Sequence, residues 1–174
     1  MRRLSSRLVY ENPWLSLRED QVARQDGSQG IYSVVDAKDF ALVLPFENDG
    51  FHLVEQYRYP VGARSWEFPS GSFPAGVTGT PEELAAAELR EETGLTAVRL
   101  TRLGYLNPAN AMTGLGCHVF LATDLTPGRP EREVTEQDMR QAWFPRAEVE
   151  RMLRDGVITD GPSIAAYLLF TLRT

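Results

Sequence analysis

Short apolar runs separated by turn-forming polar pairs predict β-strands along the first third of the chain. Residues 4–36 contain three such runs, which an Asn-Pro pair at 12–13 and an Asp-Gly pair at 26–27 separate. The runs FALVLPF (40–46) and FHLVEQYRY (51–59) follow, and the ENDG between them predicts a hairpin. The chain therefore begins with β-structure.

A loop rich in glycine and proline, WEFPSGSFPAGVTG (66–79), leads into the best-marked helix of the sequence. Thr80 can serve as its N-cap, Pro81 as its first helical residue and Glu83 as the partner of Thr80 in a capping box. Gly94 suits the C-terminal stop. These residues predict a helix with defined ends in the stretch TPEELAAAELREETGL.

The remaining segments predict more strands and two further helices. AVRLTRLGYL, CHVFLATDL and QAWFP are predicted strands, RAEVERMLRDG is a predicted amphipathic helix, and the last predicted helix begins near Pro162. This order of elements indicates an α+β fold in which helices pack on a mixed sheet. Residues 1–38 are too few to bury a core, so we expect an N-terminal β-rich appendage to a main domain over residues 39–174.

Composition narrows the classes of function. The 174 residues carry a formal charge of -6, which argues against binding along a nucleic-acid backbone. No apolar run approaches the roughly 18 residues that a membrane helix needs, and the N-terminus lacks the apolar centre of a signal peptide. We therefore expect a cytoplasmic protein with no membrane partner. Cys117 has no second cysteine to pair with and is expected to be a small buried apolar residue.

The predicted helix carries a group of carboxylates on one side. At about 100° per residue, Glu88, Glu91 and Glu92 share one stripe. The neighbouring stripe, expected to face the core, consists of Ala85, Ala86, Leu89 and Thr93. Like charges about 4 Å apart repel by about 4 kcal/mol at an effective dielectric near 20, so such a group in a cleft must spread, protonate or bind cations. Oxygen ligands favour Mg²⁺ or Mn²⁺, whereas a solvated helix face is the alternative interpretation.

The stretch ELREETGL of this helix resembles the second half of the Nudix box, G-x5-E-x7-R-E-U-x-E-E-x-G-U, in which U is a bulky aliphatic residue. The matching positions are Glu88, Leu89, Glu91, Glu92, Gly94 and Leu95. The segments NPWLSLRED, VEQYRYP, WEFPSG, HVFLATDL and TEQDMRQAWFP are similar to the ADP-ribose pyrophosphatase branch of that family. The resemblance implies a Nudix-type mixed β-sheet packed between helices.

Two positions depart from the box. Ala87 stands where the family has its arginine, and Gly79 stands where it has its first glutamate. Gly71 is the counterpart of the opening glycine, in a slightly longer loop. The family's arginine pairs with a box carboxylate, so that carboxylate needs another partner here, for which Arg90 is a candidate.

The resemblance assigns roles to the acidic residues. Glu88 and Glu92 are the first-choice ligands for Mg²⁺ or Mn²⁺, and Glu91 is the third. Glu91 and Glu92 also count among the catalytic residues. The late segment EREVTEQDM offers Glu133 and Glu136 as the general base, of which we favour Glu136. A surface glutamate without a catalytic role is the alternative.

Five positions are predicted to contact substrate: Arg58, Arg64, Glu67, Trp14 and Gly71. The two arginines have the guanidinium geometry that suits a pyrophosphate, and ordinary surface salt bridges are their alternative. Trp14 is a candidate stacking surface for a base, with a core or interface role as the alternative. Glu67 is a candidate contact for a ribose or a metal.

The resemblance also implies a reaction and a partner. The expected enzyme splits the diphosphate of ADP-ribose, or of a related nucleoside diphosphate sugar, into two monophosphates. The alternative is a non-catalytic Nudix-fold sensor of such a nucleotide, which the two departures from the box motivate. In the resembled branch the N-terminal part joins a second subunit, so we expect a two-fold homodimer through residues 1–38.

Overall fold

The computed structural model describes residues 1–132 and 134–173, which form two β-sheets and three α-helices. The strands are β1 Arg2–Glu11, β2 Leu15–Ala23, β3 Gln29–Ala37, β4 Phe40–Glu47, β5 Gly50–Arg58, β6 Ala63–Glu67, β7 Ser70–Gly71, β8 Thr96–Leu106, β9 Cys117–Thr126 and β10 Arg140–Pro145. The helices are α1 Pro81–Thr93, α2 Arg146–Arg154 and α3 Gly161–Arg173, and a 3₁₀ turn spans Val134–Glu136. Two short strands, β6 and β7, occupy part of the sequence expected to be irregular loop.

The first three strands form an antiparallel sheet of their own in the order β1-β2-β3. Its turns use the predicted residues: the Asn12 side chain accepts a hydrogen bond from the backbone N–H of Leu15, and Asp26 accepts one from that of Ser28. The loop before β9 contacts this sheet, since Val35 N donates to the carbonyl oxygen of Met112. Every residue of β1 is exposed. The predicted N-terminal β-rich appendage is confirmed as a structural unit.

The second sheet has the order β10-β5-β4-β9-β8, with β6 paired to β5 and β7 paired to β4. The central strands β4 and β9 run parallel, whereas the other pairs are antiparallel. The sheet is therefore mixed, as predicted.

Helices cover both faces of the mixed sheet. Ala41 and Val43 of β4 belong to the core cluster that contains Leu89 of α1. Leu42 and Leu44 point to the opposite face, into a larger cluster with residues of α2 and α3. Residues 40–46 of β4 are all apolar because both faces of this strand are covered. The predicted α+β class, with a mixed sheet between helices, is confirmed.

Helix α1 has the predicted ends. The Thr80 hydroxyl accepts a hydrogen bond from Glu83 N, and the Glu83 carboxylate accepts one from Thr80 N. Gly94 adopts the left-handed conformation with φ 75°. The predicted core stripe is wrong at one position, because Ala86 is exposed and Leu84 is buried instead. The face of α1 that packs on the sheet is thus rotated slightly from the predicted one. Among the described residues, none of the helices has the length and apolar character needed to cross a membrane.

Candidate active site

The loop between β7 and α1 forms one wall of a small cleft. Ser70 and Gly71 pair with β4, and Lys38 Nζ donates to the carbonyl oxygens of Phe73 at 3.0 Å and Pro74 at 2.7 Å. These bonds hold the loop beside α1. The cleft measures about 100 Å³ and is lined by Gly71, Ser72, Pro74, Glu88, Glu91 and Glu136.

Glu92 lies next to this cleft and is 1% exposed. Its Oε2 accepts a hydrogen bond from Ser70 N at 3.1 Å, whereas its Oε1 has no hydrogen-bond partner among the described residues. Burial raises the pKa of Glu92 well above its ordinary value, and the carboxylates of Glu88 and Glu136 raise it further. The Ser70 N–H and the positive charge of Arg58 oppose this change. A buried, ionised carboxylate without a full set of partners costs free energy unless it takes up a proton or binds a cation.

Gly71 leaves room for the carboxylate of Glu88. A Cβ atom at residue 71 would lie 2.6 Å from both Oε1 and Oε2 of Glu88. Glu88 is itself buried. The absence of a side chain at Gly71 therefore allows this carboxylate to approach the loop backbone.

The residues around the cleft fit a hard divalent cation. Glu88, Glu91 and Glu92 supply carboxylate oxygens from α1, and Glu136 supplies another from the 3₁₀ turn after β9. Mg²⁺ and Mn²⁺ prefer such ligands. Among the described residues these side chains do not stand in a ready-made three-ligand metal geometry. The unpartnered Oε1 of Glu92 is the feature that a bound cation would satisfy.

Arg58 and Glu67 lie together at the edge of the site. Arg58 Nε lies 2.9 Å from Glu67 Oε1 and its Nη2 lies 2.5 Å from Oε2, so the pair is bidentate. Glu67 is 2% exposed, and this hydrogen bonding raises the pKa of Arg58. The pair lines a cavity of about 290 Å³ together with Asp160 and Gly161 at the start of α3.

Arg64 is not among the residues that line the acidic cleft. Its Nε donates to Glu55 at 3.0 Å and its Nη1 donates to Asp138 at 2.6 Å. These hydrogen bonds, that with Asp138 first, raise the pKa of Arg64. In this structure Arg64 therefore forms ion pairs with other residues of the chain, which was the alternative to pyrophosphate binding.

Trp14 is 79% exposed and lines a cavity of about 490 Å³. The cavity walls also include Lys38, Phe40, Phe73 and Leu115. This cavity and the acidic cleft share the loop residues Ser72 and Pro74. The appendage thereby places an aromatic ring beside a pocket that adjoins the carboxylates.

Glu136 ends the 3₁₀ turn and contributes to the wall of the cleft. Its negative charge contributes to the raised pKa of Glu92. The structure thus brings Glu136 to the carboxylates of α1, although they are far apart in the sequence. Glu133, the other candidate base, lies outside the described residues.

The two departures from the box have local explanations. Arg90 Nη2 donates to Glu91 Oε1 at 3.0 Å, and so supplies a cation for a box carboxylate where Ala87 cannot. A Cβ atom at Gly79 would lie 2.7 Å from the Phe73 ring. A glutamate at this position would have to displace that ring.

Sequence reasoning missed three residues that shape the site. Lys38 holds the loop, Ser70 N binds Glu92, and Arg132 Nε donates to the carbonyl oxygen of Glu92 at 3.2 Å. Only Ser70 has a sequence indication, because it precedes the opening glycine of the box. The other two bind backbone carbonyls, which no side-chain pattern marks.

The chain is similar to known proteins along most of its length. The NUDIX domain family matches residues 38–167, and the nucleoside diphosphate sugar hydrolase N-terminal domain family matches residues 1–35. An ADP-ribose pyrophosphatase of Mycobacterium tuberculosis is 36% identical over 168 residues, which cover 95% of this chain and 80% of that protein.

A sequence match and a structural match, each to a protein named as an ADP compounds hydrolase, extend this similarity. The ADP compounds hydrolase NudE of Escherichia coli is 28% identical over 135 residues, which cover 76% of this chain and 69% of that protein. The crystal structure of an ADP compounds hydrolase matches with a TM-score of 0.85 over 98% of this chain and 91% of that chain. At 20% identity this last match shows a shared fold.

Proposed function

This chain belongs to the Nudix family of hydrolases, and on that premise we propose that it cleaves ADP-ribose or a related nucleoside diphosphate sugar into two phosphomonoesters, with Mg²⁺ or Mn²⁺. The observation that carries this proposal is the buried Glu92, whose Oε1 has no hydrogen-bond partner among the described residues. Glu88 and Glu136 add negative charge beside it. The names of the relatives support a substrate that contains ADP.

Each carboxylate has a part in this reaction. Glu88 and Glu92, with Glu91 as third ligand, would hold the metal, which when bound neutralises diphosphate oxygens and activates water. Glu136 takes the proton of the attacking water on a carboxylate oxygen. The water oxygen bonds to one phosphorus as the bond from that phosphorus to the bridging oxygen breaks, which yields two monophosphates.

Arg58 is proposed to bind the diphosphate, with Glu67 as the residue that orients it. The bidentate pair uses the Nε and Nη2 donors of Arg58. The Nη1 donors take no part in that pair, and the pair fixes the plane in which they lie. The positive charge of Arg58 also acts on Glu92, which indicates that Arg58 lies near the acidic cleft.

A panel of dinucleotides and nucleotide sugars tests the proposed reaction. The purified protein is incubated with each compound and Mg²⁺, and the released phosphomonoesters are measured through a coupled phosphatase. Cleavage of ADP-ribose or a related sugar nucleotide is expected, and should stop when a chelator is added. Binding without cleavage across the whole panel would instead identify a sensor.

We propose that Trp14 stacks on the base or the terminal sugar of the substrate in the cavity of about 490 Å³. Base stacking on an aromatic side chain contributes about 1–3 kcal/mol. The Trp14→Ala variant should therefore raise KM about tenfold with kcat nearly unchanged, as steady-state kinetics would show. Tyr59→Ala, which removes an exposed ring that does not line this cavity, is the control. An unchanged KM for Trp14→Ala would contradict the stacking role.

Gly71→Ala should lower kcat about 100-fold with little loss of thermal stability. The added methyl group would displace the Glu88 carboxylate, which lies at the end of a flexible side chain. A displacement of about 1 Å in a catalytic group costs roughly 10²-fold in rate. Gly114→Ala, at a position with open space around the Cβ atom, is the matched control. Full activity of Gly71→Ala would show that Glu88 does not need its present position.

The homodimer is part of the proposal, with the sheet β1-β2-β3 as its interface. All of β1 is exposed, and the exposed apolar side chains of this sheet include Leu8, Tyr10 and Ile31. Light scattering at working concentration is expected to give twice the mass of 19.5 kDa. A monomer mass would contradict this part of the proposal. The cytoplasmic location stays a prediction.

A further inference from the structure

Arg132 connects the segment that carries Glu136 to the C-terminal end of α1. Its Nε donates to the carbonyl oxygen of Glu92 at 3.2 Å, and its Nη1 donates to that of Met139 at 2.5 Å. Its own carbonyl oxygen accepts a hydrogen bond from Gln137 Nε2 at 3.0 Å. One guanidinium therefore links the backbone of a proposed metal ligand to the far side of the turn that holds the proposed base.

The position of Arg132 follows from the chemistry of a helix end. The last carbonyl groups of a helix lack partners within the helix, and a positive charge is favourable there. The chain before Arg132 is packed on the same end: Glu131 N donates to the carbonyl oxygen of Glu91 at 2.9 Å. A Cβ atom at Gly94 would lie only 2.7 Å from the carbonyl oxygen of Gly128. The segment before Arg132 therefore passes close to the C-terminal end of α1, within reach of the Arg132 side chain.

The other end of the segment is held by Arg64. Its Nη1 binds the Asp138 carboxylate at 2.6 Å, and its Nη2 binds the Asp138 carbonyl oxygen at 3.0 Å. Met139, the next residue, is buried, and its N–H donates to the carbonyl oxygen of Glu136 at 2.9 Å. The turn with Glu136 is thus anchored on both sides.

From these contacts, and resting on the proposed function, we propose that Arg132 is a positioning residue for Glu136. It sets the place of the Glu136 carboxylate relative to Glu88 and Glu92 by joining the two backbones that carry these groups. Arg132 binds backbone carbonyls, so it acts on the reaction through the position of Glu136 relative to the carboxylates of α1. Its loss should affect the chemical step more than substrate binding.

The test is a double-mutant cycle between Arg132→Ala and Glu136→Gln. Arg132→Ala alone should lower kcat roughly 10- to 100-fold with KM within about threefold, because a misplaced base costs rate and not affinity. In the Glu136→Gln background the same substitution should cause no further loss. Arg132→Lys should be intermediate, since an ammonium group lacks the planar fork that reaches two carbonyls.

Two further measurements separate positioning from general destabilisation. Hydrogen exchange of the Glu131 and Met139 amides should become faster in Arg132→Ala, while the core strands keep their protection. Arg99→Ala, which removes an exposed partner of Asp124, should leave both kinetics and exchange unchanged. Unchanged exchange at the two amides would overturn the anchoring role.

The kinetic outcomes distinguish this inference from the proposed function. Equal losses from Arg132→Ala in the wild-type and Glu136→Gln backgrounds would overturn the positioning role and leave the proposed reaction intact. Full turnover by Glu136→Gln would overturn the assignment of the base, and Arg132 would then have no catalytic group to position. Failure of the wild type to cleave any compound of the panel would reject the reaction itself.

Discussion

We expect Glu92→Gln to lower turnover by about 10³-fold or more while the protein stays folded. The amide oxygen of glutamine can still accept the hydrogen bond that Ser70 N donates, so the packing around α1 is retained. The negative charge that would bind the metal is lost. Metal ions contribute several kcal/mol to charge stabilisation in the transition state, and about 4 kcal/mol corresponds to roughly 10³-fold in rate. Steady-state kinetics at saturating Mg²⁺ measure this effect.

The same variant should be more stable than the wild type when divalent cations are removed. Burial raises the pKa of Glu92 in the folded protein above its ordinary value of 4.5. Ionisation of Glu92 therefore opposes folding, and the loss of stability begins as the pH rises above 4.5 and continues up to the raised folded pKa. Glu92→Gln avoids this loss. In the presence of a chelator, the Tm of Glu92→Gln should exceed that of the wild type by about 2–4 °C for each kcal/mol of ionisation cost that the substitution removes.

Added Mg²⁺ should reverse this difference. A cation that binds only the folded wild type raises its Tm by mass action, whereas Glu92→Gln should show little increase. Glu82→Gln, which alters an exposed glutamate in the first turn of the same helix, is the control for both experiments. Activity near that of the wild type in Glu92→Gln, or an equal rise of Tm with Mg²⁺ in both proteins, would remove Glu92 from the metal site.

Glu136→Gln should lower kcat by about 10³-fold with KM nearly unchanged. General base catalysis contributes about 10²–10⁴-fold, and an amide cannot accept the proton of the attacking water. Glu136 lines the cleft together with Glu88 and Glu91, and glutamine has nearly the same size, so the substitution should disturb the binding of a nucleotide sugar little. Single-turnover kinetics would show whether the chemical step is slowed.

The control for Glu136→Gln is Glu131→Gln. Glu131 is an exposed glutamate of the same segment, and its 3.5 Å contact with Arg90 is an exposed pair of small energetic value. The Glu131→Gln variant should therefore retain most of the wild-type turnover. If Glu136→Gln were as active as Glu131→Gln, Glu136 would be an ordinary surface acid, and the base would have to be sought elsewhere.

Helix α1 shows how much of the site could be predicted from the sequence. Its capping box joins Thr80 to Glu83, and its C-terminal stop joins Gly94 to Arg90, so each bond spans three or four residues. Such short-range bonds can be inferred from residue types and spacing alone. The helical period likewise places Glu88 and Glu92 on one side. The predicted acidic face therefore needed no tertiary information.

The arginines show what the spacing could not reveal. The sequence marks Arg58 and Arg64 as candidates for a pyrophosphate, with Arg58 favoured, and in the structure the charge of Arg58 acts on Glu92. Arg64 binds Asp138, a residue 74 positions away. Arg132 was not a candidate, because its partners are backbone carbonyls. Whether a charged side chain meets substrate or an internal partner depends on which distant segment folds against it.

The sequence by itself determined the ends of α1, the order of the longer strands and the helices, and the row of carboxylates, since all of these follow from local hydrogen bonding and periodicity. Only the tertiary structure decided that Glu92 is buried with one unpartnered oxygen among the described residues, and that Glu136 lines the same cleft as Glu88 and Glu91. The physical reason is that burial and charge coupling depend on packing between segments far apart in the chain, and that packing leaves the buried carboxylate oxygen on which the proposed cation site rests.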